Sequence, residues 1–129
     1  MRWADFALTT YPELELLYHI PNEGKRSKAT GGRLKALGLK AGVPDLCLPT
    51  AHGGYIGLYI EMKVKPNKPT EKQKHWLRML RAAGHMVAVC YDWDSARQLL
   101  EDYMRLPPTC GTKGEGNETI ETLGAVESV

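Results

Sequence analysis

The stretch "AGVPDLCLPTAHGGYIGLYIEMKVKPNKPTEKQ", residues 41–73, holds two short apolar runs with charge threaded into each, followed by a helix start. Val43–Leu48 and Gly57–Val64 are rich in β-branched, aromatic and aliphatic residues and are bounded by Gly and Pro. They are therefore expected as strands, and "PTAHGG" between them as the turn of a hairpin. Side chains alternate along a strand, so Tyr59, Glu61 and Lys63 share one face, while Leu58, Ile60 and Met62 share the other. Asp45 likewise points away from the face of Leu46 and Leu48. Pairing the two strands brings Asp45 beside Glu61, and two carboxylates so placed repel unless a cation lies between them. A divalent ion solves that problem, and an oxygen donor set without a Cys or His cluster favours magnesium or manganese over zinc. The plainer alternative is that Asp45 caps the turn after Pro44, while Glu61 and Lys63 form a surface ion pair.

Outward from this stretch the pattern is mixed α and β. Residues 2–10 suit a short helix ended by Pro12, and Leu14–Ile20 a strand stopped by Pro21. Thr70–Ala83 is expected as a helix with Trp76, Leu77 and Leu80 on one face and Gly84 as its stop. Met86–Tyr91 follows as a strand. Ser95–Met104 is then an amphipathic helix with Asp94 as its N-cap and Ala96, Leu99, Leu100 and Tyr103 at helical spacing. The fold class is α/β, a mixed central sheet flanked by helices. The domain is expected over residues 1–106, with residues 107–129 as a flexible acidic tail poor in large apolar residues.

Composition narrows the function classes. The chain has 129 residues, 43% hydrophobic and 25% charged, which matches one globular domain with a single core. Apolar runs are too short for a membrane span and the start lacks a secretory h-region, so a cytoplasmic setting and no membrane partner are expected. Cys47, Cys90 and Cys110 are odd in number and lack metal-type spacing, so neither a disulfide framework nor a zinc site is expected. His19, His52, His75 and His85 are scattered, and Gly31-Gly32 lacks the Lys-Ser/Thr of a P-loop. The net charge of +2 is unevenly spread. The tail holds Lys113 against Glu115, Glu118, Glu121 and Glu127, whereas Lys25, Arg26, Lys28, Arg33, Lys35 and Lys40 crowd a Gly-rich stretch with no acid. Such a stretch is either a phosphate-binding surface or a solvated loop.

Pro-Asp, then Glu-x-Lys on a strand, then a helix bearing Gln in its first turn resembles the PD-(D/E)XK nuclease superfamily with its restriction-endonuclease-like core. The words "YPELELLYHIPNEGKR", "LKALGLKAGVPDLCLP", "GLYIEMK", "EKQKHWLRMLRAAGHMVAVCYDWDSA" and "YM" narrow the resemblance to the VRR-NUC (virus-type replication-repair nuclease) family. The resemblance implies a phage-encoded or bacterial Mg2+- or Mn2+-dependent phosphodiesterase on branched DNA such as four-way (Holliday) junctions, with homodimers presenting two sites. It places Asp45, Glu61 and the backbone carbonyl of Met62 on the metal. Lys63 would orient or activate water and stabilise developing negative charge. Gln73 would contact the site or the phosphate, although Thr70-Glu71-Lys72-Gln73 is also a capping box. Asn22 would help shape the site or turn the chain. Relatives carry a glutamate in the first helix, upstream of the Trp and Tyr-Pro words, and here Asp5 is the only acid in that helix. A second metal position is therefore in question, and a DNA-binding but inactive form is the alternative function. Trp3, Phe6, Leu8 and Tyr11 exceed what a short surface helix needs and point to the dimer interface.

Overall fold

A computed structural model describes residues 8–21, 38 and 40–109. In chain order these form a 3-10 helix (Pro12–Leu16), β1 (Tyr18–His19), β2 (Leu46–Leu48), β3 (Leu58–Met62), α1 (Glu71–Ala82), β4 (Met86–Cys90) and α2 (Trp93–Arg105). The sheet order is β1-β2-β3-β4. β1 and β2 pair antiparallel, β2 and β3 form the expected antiparallel hairpin, and β4 runs parallel to β3. The parallel pairing follows from connectivity, because α1 carries the chain from the end of β3 back to its start.

Strand alternation divides the core into two layers. Leu58 and Ile60 join Leu46, Leu48, Met86, Ala88 and Cys90 under α2, which contributes Ala96, Leu99, Leu100, Tyr103 and Met104. The opposite face carries Val87 and Val89, with Tyr59 and Tyr91 beside them, under Leu77 and Leu80 of α1. α2 thus covers the broad face of the sheet and α1 only the β3–β4 half. Within β4 every residue is buried, because both helices cover it. Among the described residues no helix is long and apolar enough to cross a membrane.

Three expectations change. The strand over Leu14–Ile20 shrinks to Tyr18–His19, preceded by the 3-10 helix. Pro12 opens that helix with its preset φ, and Leu14 and Leu17, three residues apart, both turn inward. The N-cap of α2 is Asp92, whose Oδ1 accepts from the Ser95 N–H at 2.6 Å. Asp94 lies in the first turn and pairs instead with Arg97 at 3.5 Å. An N-cap oxygen reaches the N–H three residues on, which Asp92 does for Ser95. Finally, Leu8 and Tyr11, expected in excess of what packing needs, are partly buried against the core. Trp3 and Phe6 lie outside the described residues, as does most of the 2–10 helix.

The segment after α2 does not leave the domain at once. The Gly53 N–H donates to the Pro107 carbonyl at 2.8 Å, and the Thr109 N–H to the Ala51 carbonyl at 3.0 Å. Residues 110–129, with Cys110, lie outside the described residues.

Candidate active site

Asp45 directly precedes β2, and the β2–β3 register, Leu46 opposite Ile60, places it across from Glu61. The backbone of Asp45 is held by β1, since its carbonyl accepts from the Ile20 N–H at 2.7 Å. Its side chain is held by β3, where Oδ2 accepts from the Met62 N–H at 2.8 Å. The register would set Pro44 opposite Met62, but proline has no N–H and cannot continue the ladder. The Asp45 carboxylate takes the Met62 N–H, and the ladder offers no donor to the Met62 carbonyl, which leaves the strand on the same side as its N–H.

Glu61 is 1% exposed, so the surface ion pair with Lys63 does not form. Its Oε1 accepts from Gln73 Nε2 at 3.2 Å, while its Oε2 is buried with no hydrogen-bond partner. Burial, then repulsion from Asp45, pushes the Glu61 carboxyl up to about 8, and the Lys63 ammonium only partly opposes this. A buried carboxylate oxygen without a donor is costly, and such an atom next to a second carboxylate is an electron-rich position suited to a hard cation. The donor set of Asp45, Glu61 and the Met62 carbonyl fits a magnesium-type ion. Among the described residues no group of three or more His, Cys, Asp or Glu side chains converges.

Lys63 lies just past β3 on the Glu61 face. Its N–H donates to the Cys90 carbonyl at 2.9 Å, which fixes where its half-buried side chain starts. Gln73 both closes the capping box and bonds to Glu61. Its Oε1 accepts from the Thr70 N–H at 2.8 Å, its own N–H donates to Thr70 Oγ1 at 3.2 Å, and its Nε2 turns to Glu61. α1 approaches closely because Gly42, at φ +92°, lies against it. A Cβ there would stand 2.9 Å from the Lys72 carbonyl carbon and oxygen.

The remaining site candidates divide by location. Lys40 is exposed near Gly42. Asp5, Asn22, Lys25, Arg26, Lys28, Arg33 and Lys35 lie outside the described residues. Cys47 and Cys90 are free and buried, and burial pushes the Cys90 thiol up to about 12, which keeps it inert.

A second polar cluster escaped the sequence. His52 is 3% exposed, with Nε2 2.8 Å from Glu13 Oε2 and Nδ1 2.9 Å from the Leu106 carbonyl. Thr50 Oγ1 donates to the same Glu13 oxygen, and the Tyr103 hydroxyl donates to the Thr50 carbonyl at 2.6 Å. This cluster lies past the end of β2, whereas Asp45 precedes its start. It ties the 3-10 helix, the β2–β3 loop and the end of α2 together. Only the "YPE" turn and an isolated His in a turn hinted at it.

A mixed sheet with helices on both faces, with Asp45 just before β2, Glu61 on β3 and Lys63 just after it, is consistent with a PD-(D/E)XK-like fold. The VRR-NUC domain model matches residues 6–93, and the chain belongs to the VRR-NUC domain family. A solved structure described as a VRR_NUC domain protein is similar at a TM-score of 0.62 and 24% identity, covering 83% of this chain and 89% of that one, which bears on the fold alone. No curated protein matches the chain.

Proposed function

We propose that this chain is a Mg2+- or Mn2+-dependent endonuclease that hydrolyses DNA phosphodiester bonds, selective for branched DNA such as four-way junctions. The observation that carries the metal dependence is the Glu61 Oε2 atom, buried without a partner beside Asp45. Asp45, Glu61 and the Met62 carbonyl would hold the ion. When bound, it supplies Lewis acidity at the scissile phosphate and lowers the pKa of water. The chain's own residues do the rest. Met62 N–H and Ile20 N–H hold Asp45 in place, and Gln73 holds Glu61. The Lys63 ammonium, close enough to Glu61 to act on its carboxyl, would orient the attacking water and offset negative charge that grows on the phosphate. The cations from Lys25 to Lys40 would supply sequence-independent phosphate contacts.

The family resemblance supports the branched-DNA selectivity. A domain with one such site cuts one strand, so symmetric incision of a junction takes a second copy related by a two-fold axis. The proposed working form is a homodimer, acting in a bacterial cytoplasm as a bacterial or phage-encoded enzyme. The test is cleavage of four-way junctions, flaps, nicked duplex and single strands with magnesium, manganese or EDTA. Metal-dependent cutting that prefers the junction is expected. Equal cutting of all four substrates would remove the branched-DNA selectivity, and cutting in EDTA would remove the metal.

A further inference from the structure

The segment joining β3 to α1, together with the first turn of that helix, is strongly one-sided in charge. From residue 63 to residue 73 it holds Lys63, Lys65, Lys68 and Lys72 against a single acid, Glu71. That glutamate is already engaged by Lys74 at 3.6 Å. Lys65, Lys68 and Lys72 are all exposed. Lys65 Nζ lies 5.7 Å from the Tyr91 ring centroid and helps hold Asp92 below its ordinary value, behind the Ser95 hydrogen bonds. Among the described residues, Lys68 and Lys72 have no carboxylate within ion-pair distance.

The position of Lys72 is unfavourable for the folded chain alone. It is the second residue of α1, where the helix dipole presents positive charge and a cation is unfavourable. Its side chain is exposed, and a phosphate from outside would offset that charge. The next residue of the same turn is Gln73, whose amide holds Glu61, the carboxylate with the unpartnered Oε2. The turn that carries Lys72 is thus bonded directly to the proposed reaction site. Gly42 packs on the Lys72 backbone, and the exposed Lys40 lies two residues earlier in the chain.

We infer that Lys65, Lys68 and Lys72 form a phosphate-binding edge that holds the DNA backbone beside the scissile phosphate, distinct in sequence from the basic segment starting at Lys25. This rests on the nuclease reading above. The edge reads no bases, and it would align the strand across the ends of β3 and β4 so that the scissile phosphate meets Glu61 and Lys63.

The test combines Lys68→Ala with Lys72→Ala in the full chain. Fluorescence anisotropy of a labelled DNA duplex is followed against salt, with Glu61→Gln in the background to prevent cutting. Loss of two phosphate contacts should lower the slope of log K against log salt by about 1.8 and weaken binding alike on unrelated sequences. Arg97→Ala, which removes a cation paired with Asp94 on α2, should leave the slope unchanged. In steady-state cleavage the double variant should raise KM with kcat held, as expected for binding shared by ground and transition states. An unchanged slope overturns the edge, and if the wild type still cuts DNA with magnesium the nuclease assignment stands. A chain that neither binds nor cuts DNA overturns both.

Discussion

Glu61→Gln should make the metal-free protein more stable while abolishing cleavage, and the size of the effect follows from the site. A carboxyl held at about 8 in the fold, against an ordinary 4.5, binds its proton more tightly when folded than when unfolded. Its contribution is intact below 4.5 and is lost as pH rises through about 8. A tenfold change in proton affinity is worth about 1.4 kcal/mol, so the full loss approaches about 5 kcal/mol, of which about 3 is reached by pH 7. Glutamine keeps the shape and the Oε1 acceptor for Gln73 but cannot ionise. In a domain of this size 1 kcal/mol moves Tm by about 4 °C, so the variant should melt on the order of 10 °C above wild type at pH 7 in EDTA. Near pH 4 the two should converge. Differential scanning fluorimetry from pH 4 to 9 gives the curves, and added magnesium should raise the wild type selectively. Parallel pH curves for the two proteins would refute the buried, repelled carboxylate.

Three further outcomes test other parts of the structure. Gly42→Ala places a Cβ 2.9 Å from the Lys72 carbonyl at a φ of +92°. It should cost about 1–3 kcal/mol in chemical denaturation, and cleavage should fall more than DNA affinity as α1 is pushed from Asp45. Glu13 is held below its ordinary 4.5 by its bonds from Thr50 and His52, so its contribution exists above 4.5 and is lost as pH falls through the lowered value. Glu13→Gln should therefore lower Tm slightly at pH 7, by under about 1 kcal/mol for so exposed a group, and converge with wild type in acid. Light scattering at micromolar concentration should report a dimer, and a monomer that nicks junctions without coupling would refute paired incision.

The hairpin, the Gln-bearing helix and the facing of Asp45 toward Glu61 were legible because strand alternation and helical spacing are local and their stops are Gly and Pro. The first strand was misread because "LELLYHI" has alternating and three-residue spacing at once, and Pro12 with the burial of Leu14 and Leu17 decided for the turn. Asp94 was expected as the cap because the apolar helical spacing begins only at Ala96, whereas the helix itself opens at Trp93. The burial of Glu61 was not visible either. Its neighbours alternate as in a half-exposed strand, and only α1 folding back over β4 closes its face. Glu13 and His52 are separated by two strands, so no local pattern could join them.

The two-ended hydrogen bonding of Gln73 limits which residues that position can accept. A helix cap of this kind is served equally by glutamate and glutamine. Glu61, however, needs a donor from the same side chain, and glutamate would bring a third negative group to a pair that already repels. Lysine or arginine would donate but could not accept from the Thr70 N–H. Only an amide of this length serves both ends. Gln73→Glu should therefore leave α1 capped and helical while emptying the site of function, separating a helix that is merely well formed from one that is correctly wired to the chemistry.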